Sequence, residues 1–292
     1  MTTTIRTLLG LLVLTVSQPI WGQSPSSTDL QGLLWKIEGN GLDQPSYLYG
    51  TIHAISQDDF FLTETTRKAF DDSQEIVLEL DMDDPQMPMQ LMQMAGMPDG
   101  LTLDSLLSEP AYQKLDSLVQ KNMGVGIAPF KTWQPLLAYS LIIQEFIDGQ
   151  MASYEQSFVQ MAQEAEKEVK GLESVKEQIE AMAKIPIETQ ADYLTSQLMD
   201  LEAEKELFER MVDLYKKQDI GELEAYIVST SGGDAFAEFL LKERNEKWID
   251  RIQKQAEAAP SFFGVGAGHL AGEYGVINLL RKAGFTVTRI DQ

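Results

Sequence analysis

The most constraining pattern in the sequence is a strand-helix-strand unit near its C-terminal end. Residues 261–267 and 285–290 are short apolar runs, and residues 273–283 between them have the spacing of a helix. Two strands joined through such a helix lie parallel in one sheet, because the crossover carries the chain back to the starting edge. The chain is therefore expected to build a sheet with helices packed against it.

Further short apolar runs predict more strands. Residues 33–37 and 47–52 flank a Gly-Asn-Gly segment, as in a β-hairpin, and residues 75–80 and 169–172 have the length and composition of two further strands. Helical spacing fills four more segments: residues 64–70, 103–166 with breaks, 189–226 and 236–258.

Together these elements predict an α/β fold with α+β character: a mixed central sheet with flanking helices and a helical insertion at about residues 103–258. We expect one domain over residues 31–292. Residues 82–97 contain six methionines and show no clear period. They are expected to form either a mobile flap or irregular loop, or a set of methionines that fill gaps in the core.

The N-terminal segment has the layout of a secretory signal peptide. Residues 1–22 contain one cation, Arg6, and no acidic residue, and the apolar run 8–16 is followed by the small residue Gly22. We therefore expect a signal peptide over residues 1–22, a linker over residues 23–30 and a periplasmic or secreted protein. No later window approaches the roughly 20 apolar residues that a membrane span needs, which predicts no stable membrane insertion.

The composition excludes several kinds of function. Because the chain has no cysteine, it offers no thiolate nucleophile and no thiolate metal ligand. Its 45 acidic residues against 23 basic ones give a formal net charge of −22, which disfavours nucleic acid as a partner. The same charge favours cationic ligands and metal ions, although an acidic surface also serves solubility alone.

The only two histidines both close a Gly-x-x-His motif directly after an apolar run. His53 follows Gly50, and His269 follows Gly266. Ligands of α/β sheets bind at the C-terminal ends of strands, and glycine there lets the backbone approach a ligand. An imidazole at such a place is a metal ligand or a base, and the alternative is a pair of hydrogen-bonded structural histidines.

Four polar residues are further candidates. Glu79 lies within the alternating run of residues 75–81, in which it shares a face with Glu75, Val77 and Asp81. This face is exposed to water unless helices cover the sheet on both sides. In the covered case the carboxylate must be paired or metal-bound. The others stand elsewhere in the chain and are Glu173, Arg244 and Asn245.

Glu173 follows a strand and precedes a helix, where its charge suits the helix dipole. Asn245 falls on the apolar stripe of the helix predicted at 236–258, with Arg244 beside it. Either these two residues hold the helix to the sheet through hydrogen bonds, or they reach into a site and bind a carboxylate or oxyanion.

The chain resembles the TraB/GumN family, which includes the plasmid pheromone-shutdown protein TraB and is related to the Tiki metalloproteases. The resemblance extends over about residues 30–290. The motifs that carry it occur in this order: residues 34–37 (LWKI), 46–53 (SYLYGTIH), 77–81 (VLELD), 171–173 (GLE) with Gln178, 243–245 (ERN) with Trp248, and 265–270 (VGAGHL).

The resemblance implies a divalent-metal-dependent peptide hydrolase. His53, Glu79 and His269 are then the metal ligands, with a water in the remaining position whose pKa the metal lowers. Glu173 is the candidate general base, and Arg244 and Asn245 are candidates to bind the substrate or the oxyanion. Imidazole and carboxylate ligands suit manganese, cobalt, zinc or iron. The expected substrate is a peptide or a similar small acyl compound.

Three alternatives stay open at this point. One is a metal-free, esterase-like hydrolase in which a histidine activates water. Another is a non-catalytic protein that binds a peptide, or haem through histidine, in the same cleft. The third is a family member with a structural role only.

Overall fold

The computed structural model describes residues 30–230 and 232–291. The predicted signal peptide, residues 1–22, and the predicted linker except Leu30 lie outside the described residues. The strands are β1 (Leu34–Glu38), β2 (Ser46–Thr51), β3 (Ile55–Ser56), β4 (Glu75–Leu78), β5 (Met151–Ala152), β6 (Glu168–Gly171), β7 (Ser261–Gly266) and β8 (Thr286–Arg289).

Helices occupy most of the chain between the strands. The α-helices are α1 (Glu64–Asp72), α2 (Met87–Met94), α3 (Leu103–Leu106), α4 (Glu109–Met123), α5 (Pro135–Ser140), α6 (Tyr154–Glu164), α7 (Val175–Ala183), α8 (Ile187–Met199), α9 (Leu201–Lys216), α10 (Ile220–Thr230), α11 (Asp234–Phe236), α12 (Glu243–Ala258) and α13 (Val276–Lys282). A π-helical stretch, Ala237–Lys242, joins α11 to α12. Within the described ranges no helix combines the length and the apolar character needed to cross a membrane.

Six strands form one mixed sheet in the order β6-β4-β7-β2-β1-β8. Strands β6, β4, β7 and β2 run parallel to one another, and β1 runs antiparallel to both β2 and β8. The predicted α/β fold with a mixed sheet is thus confirmed. Strands β7 and β8 point the same way, as the strand-helix-strand pattern predicts, but β2 and β1 lie between them.

The central strands are covered on both faces. The first five residues of β7 are all buried, although their side chains alternate between the two faces of the sheet. On one face, Phe262 of β7 stacks with Tyr49 of β2 and meets Phe158 of α6, with ring centroids 6.0 and 5.0 Å apart. A polar side chain that enters this sheet must therefore find a partner inside the protein.

Several local expectations need correction. Residues 82–97 are not irregular throughout, because Met87–Met94 form α2; proline in the first turn is compatible with a helix, and methionine is a good helix former. The helix predicted at 236–258 is not one continuous α-helix, since the π-helical stretch Ala237–Lys242 interrupts it. Ser174 and Glu177 form a capping box at the start of α7.

Of the two alternatives for the face around Glu79, the structure shows the covered one. Strand β4 ends at Leu78, and Val77 is 2% exposed, so this face is not open to water. Glu79 itself is buried. The covered sheet thus leaves the carboxylate of Glu79 in need of a partner.

Candidate functional site

Four of the candidate residues follow directly from the ends of parallel strands. His53 comes after β2, Glu79 after β4, Glu173 after β6 and His269 after β7. The C-terminal ends of parallel neighbours meet at the same edge of a sheet, so these side chains enter one region although they are far apart in sequence. Strand order therefore explains why the two Gly-x-x-His motifs come together.

Gly266 lies where three of these side chains converge. A Cβ atom built on Gly266 would be 3.3 Å from Oε1 of Glu79, 3.5 Å from Cδ2 of His269 and 3.7 Å from Nε2 of His53. The glycine thus leaves a small space that borders each predicted metal ligand. Its φ of −51° is open to any residue, so the missing side chain, and not an unusual backbone, distinguishes this position.

The ring of His269 is oriented by Asn245. Nδ1 of His269 lies 2.6 Å from Oδ1 of Asn245, whose Nδ2 donates to the carbonyls of His269 and Tyr274 at 3.2 and 2.8 Å. Because the amide nitrogen donates, the amide oxygen accepts, and the proton is placed on Nδ1 of His269. Nε2 of the neutral ring then carries the lone pair.

The charge of His269 follows from its surroundings. The imidazole is 5% exposed and lies against the indole of Trp248, with ring centroids 4.5 Å apart. Burial lowers the pKa of His269, and the positive charge of Arg244 lowers it further, while Glu79 opposes both effects only in part. His269 is therefore a neutral imidazole at neutral pH.

Arg244 joins the buried carboxylates. It donates through Nη2 to Glu79 at 2.5 Å and to Glu173 at 2.6 Å, and its Nε donates to Glu173 at 3.0 Å. Its Nη1 bonds the carbonyl of Leu240 at 2.9 Å and lies 3.2 Å from Nε2 of His269. Two carboxylates thus share one guanidinium, and the three side chains carry a formal charge of −1.

Glu79 is held in its ionised form. Burial alone would raise its pKa, but the guanidinium of Arg244, the imidazole of His53 and the backbone N–H of Gly266 hold the pKa of Glu79 well below its usual range. That N–H donates to Oε1 of Glu79 at 2.8 Å. The same oxygen is 3.8 Å from Nε2 of His269, so the carboxylate lies between the guanidinium and the imidazoles.

Glu173 is hydrogen-bonded on both carboxylate oxygens. Besides its two bonds from Arg244, it accepts from Nε1 of Trp248 at 3.2 Å and from Nε2 of Gln178 at 3.2 Å. All these donors are fixed by helices α7 and α12. The predicted contact between α12 and the strand ends therefore exists, and Glu173 is its central acceptor.

His53 has a different partner. Its Nδ1 lies 3.0 Å from Oε1 of Glu155, which also accepts from the hydroxyl of Thr51 at 2.6 Å, and Ser153 donates to the other oxygen at 2.9 Å. Burial lowers the pKa of His53, but the carboxylate of Glu155 outweighs it and raises the pKa above the ordinary value. Water reduces both effects, because the side chain of His53 is 66% exposed.

Glu155 is the site residue that sequence reasoning missed. It lies in the first turn of α6, where an acidic residue is ordinary, and 102 residues separate it from His53. Its burial is the feature that distinguishes it, and burial depends on how α6 packs against β2. No spacing in the sequence carries that information.

A cavity of about 250 Å³ opens beside the histidines. One wall consists of the strand ends with His53 and His269, and the opposite wall is apolar. The apolar side chains come from α9, α10 and neighbouring segments and include Ile143, Phe208, Met211, Leu223, Ile227 and Leu241.

Comparison with known proteins identifies the family of this chain. The sequence profile described as the TraB/PrgY/gumN family matches residues 33–289, which include every strand of the main sheet and every candidate site residue. The chain belongs to the TraB/PrgY/gumN family. No solved structure gives a significant match.

The chain is also similar to curated metalloproteases. Metalloprotease TIKI2 of Xenopus tropicalis is 24% identical over 97% of this chain and 65% of its own length. Metalloprotease TIKI1 of Danio rerio is 22% identical over 89% of this chain and 63% of its length, and metalloprotease TIKI1 of Homo sapiens is 23% identical over 90% and 63%. The chain thus spans less than two thirds of these relatives.

The chemistry of these residues fits the divalent metal that the name of these metalloproteases implies. In the described part of the chain, no group of three or more histidine or acidic side chains is already spaced to hold a metal ion. The fit lies in the donors: two imidazoles with oriented Nδ1 atoms and an ionised carboxylate surround the space beside Gly266. Metal-binding histidines characteristically use Nδ1 in this way, toward a carboxylate or carbonyl.

Proposed function

We propose that this protein is an exported, divalent-metal-dependent hydrolase that cleaves peptide or similar acyl bonds. One observation carries the proposal: each histidine uses Nδ1 for a second residue, Glu155 or Asn245, so Nε2 is the nitrogen that can bind a ligand. Nε2 of His269 lies 3.8 Å from Glu79 and 3.2 Å from Nη1 of Arg244, and a bound metal would replace Arg244 as its partner. Export is part of the proposal and is based on residues 1–22. The similarity to curated metalloproteases supports the reaction type.

His53, His269 and Glu79 would hold the metal. When bound, a metal such as manganese, cobalt, zinc or iron polarises an acyl carbonyl and lowers the pKa of a bound water. The formal charge of −1 on Glu79, Glu173 and Arg244 supports this assignment, because a buried excess of negative charge favours a cation. Glu155 adds a second negative charge beside His53 and also makes that imidazole more basic.

The contacts of Glu173 and Arg244 support different roles from those of the metal ligands. Glu173 accepts bonds from Arg244, Trp248 and Gln178, so we assign it to positioning Arg244. Arg244 directs Nη1 at the region of His269, where it can donate to a negatively charged substrate oxygen. Asn245 holds His269 in one tautomer.

A metal-free hydrolase is the second candidate. The contact of 2.5 Å between Arg244 and Glu79 favours it, because the guanidinium already neutralises the carboxylate that would bind a metal. In that case one of the two imidazoles, in its neutral form, accepts the proton of water through Nε2, and Arg244 donates to the oxyanion. The two candidates use the same residues and differ in their need for a metal.

Metal content separates the two candidates. The purified protein, without a histidine tag, is dialysed against trace manganese, cobalt, zinc and iron, and bound metal is quantified for the wild type, for His53→Ala/His269→Ala and for Glu79→Gln. Glu177→Gln is the matched control, since Glu177 pairs with Arg251 outside the three ligands. We expect about one metal per chain in the wild type and the control, and loss in the other variants.

Hydrolysis of a peptide library is then measured with and without a chelator. Cleavage that stops with chelator and returns with metal supports the first proposal. Cleavage that persists in a protein without metal supports the metal-free hydrolase, and metal or peptide binding with no cleavage supports a binding protein.

A further inference from the structure

The cavity beside the histidines has a shape and lining that select a substrate group. Its volume of about 250 Å³ is below the range of about 300–1,000 Å³ that is typical of sites for whole drug-sized ligands. His53 and His269 form one wall, so a group inside the cavity is adjacent to the region where the bond would be cleaved. A space of this size suits one side chain of a longer substrate.

Within the described part of the chain, the wall opposite the histidines contains no charged residue. Phe208 and Met211 belong to α9, Ile227 belongs to α10, and Leu241 lies in the π-helical stretch before Arg244. A lysine, arginine or carboxylate side chain placed there would lose its hydration without gaining an ionic partner. An aliphatic or aromatic side chain would instead remove its surface and that of the wall from water.

We propose that this cavity binds an apolar side chain, such as that of leucine, methionine or phenylalanine, from the residue next to the scissile bond of a peptide substrate. The inference rests on the proposed hydrolase, because the peptide is its substrate class. It goes further by naming the selected side chain and the residues that select it. Ile227, Met211 and Phe208 are the specificity-determining residues.

Ile227 offers the sharpest test of this pocket. It is half-buried, and its Cδ1 would lie 2.9 Å from a Cβ atom built on Gly268, so it stands directly over the loop that carries His269. Ile227→Trp would fill the cavity, and Ile227→Ala would enlarge it. Ile249→Ala is the matched control, because Ile249 is also half-buried on a helix but does not line the cavity.

Binding is measured separately from hydrolysis. The protein is labelled with ¹³C in the isoleucine and methionine methyl groups and kept in chelator. It is titrated with capped pentapeptides Gly-Gly-X-Gly-Gly in which X is Leu, Phe, Lys or Gly. We expect the Leu and Phe peptides each to bind at least about ten-fold more tightly than the Gly and Lys peptides. Their binding should change the chemical shifts of the methyl groups of Ile227 and Met211.

The variants decide whether the cavity is responsible. Ile227→Trp should remove the ten-fold preference, and Ile227→Ala should shift it from Leu toward Phe, whereas Ile249→Ala should leave it unchanged. Should Ile227→Trp lower the melting temperature markedly, Met211→Ala is titrated in its place. Equal affinity for all four peptides, or an equal change in the control, would overturn the proposal.

The result is distinguishable from failure of the proposed function. Selective binding of the Leu peptide in a protein that binds no metal and cleaves nothing would retain the pocket and reject the metal-dependent hydrolase. Metal-dependent cleavage with no preference among the four peptides would retain the metal-dependent hydrolase and reject the pocket.

Discussion

Oδ1 of Asn245 lies 2.6 Å from Nδ1 of His269, and this contact fixes which nitrogen of the imidazole carries the lone pair. Loss of the amide should weaken any metal bound at Nε2. We expect Asn245→Ala to lower metal affinity by about 10–100-fold. It should also lower the free energy of unfolding by about 1–3 kcal/mol, since buried polar groups lose their partner. Calorimetric metal titration and urea unfolding measure both changes.

The control for this variant is Asn278→Ala. Asn278 is a half-buried asparagine of α13 that donates to the carbonyl of Glu273 at 2.8 Å. Its loss should change the unfolding free energy by less than about 0.5 kcal/mol. Wild-type metal affinity in Asn245→Ala would show that the amide does not orient a ligand.

Glu155 should control the basicity of His53. In the metal-free protein the carboxylate raises the pKa of His53, so Glu155→Gln should lower it toward the ordinary value of about 6.5. The glutamine oxygen can still accept from Nδ1, whereas Glu155→Ala removes both charge and contact. NMR titration of the His53 ring protons measures the shift. Glu164→Gln, an exposed change in the same helix α6, is the control. An unshifted pKa of His53 in Glu155→Gln would show that Glu155 does not control the basicity of this histidine.

Removing the guanidinium of Arg244 should destabilise the protein. Arg244→Met leaves the carboxylates of Glu79 and Glu173 buried without a counter-charge, so we expect the unfolding free energy to fall by about 3–5 kcal/mol. Adding Glu79→Gln should recover part of this loss, because one of the two buried charges is then removed. Urea unfolding of the single and double variants measures the coupling. Arg251→Met, which breaks a half-exposed pair with Glu177, should have a smaller effect, and equal losses would mean that burial is not the cause.

The predictable part of this site consists of residues that local patterns place at strand ends. His53, Glu79 and His269 each follow an apolar run, and the direction of a parallel strand is enough to bring such residues to one edge. The order of the strands in the sheet cannot be predicted from such local patterns. Whether β7 inserts between β4 and β2 depends on packing over the whole chain, and residues 261–267 alone do not encode it.

The residues that escaped prediction act through tertiary contacts. Glu155 is an ordinary first-turn acid until α6 packs against β2 and buries it beside His53. The apolar stripes of α9 and α10 predict that these helix faces are buried. They do not show that some of the side chains, including Ile227, line a cavity instead of packing against a neighbouring helix. Local chemistry could be predicted here, and the long-range partners could not.

The space beside Gly266 gives the most direct test of the convergence of the three predicted ligands. In Gly266→Ala the new methyl group would lie 3.3 Å from Glu79 and 3.7 Å from His53, which are close contacts. The backbone conformation at this position is one that alanine adopts without strain. We therefore expect the variant to fold, with a change in unfolding free energy below about 2 kcal/mol, and to lose at least about ten-fold in metal affinity and in any hydrolysis. Gly96→Ala is the control, since a Cβ atom there meets nothing closer than the carbonyl of Thr132 at 3.9 Å. Metal binding and cleavage at wild-type levels in a folded Gly266→Ala protein would show that no ligand occupies the space between these side chains.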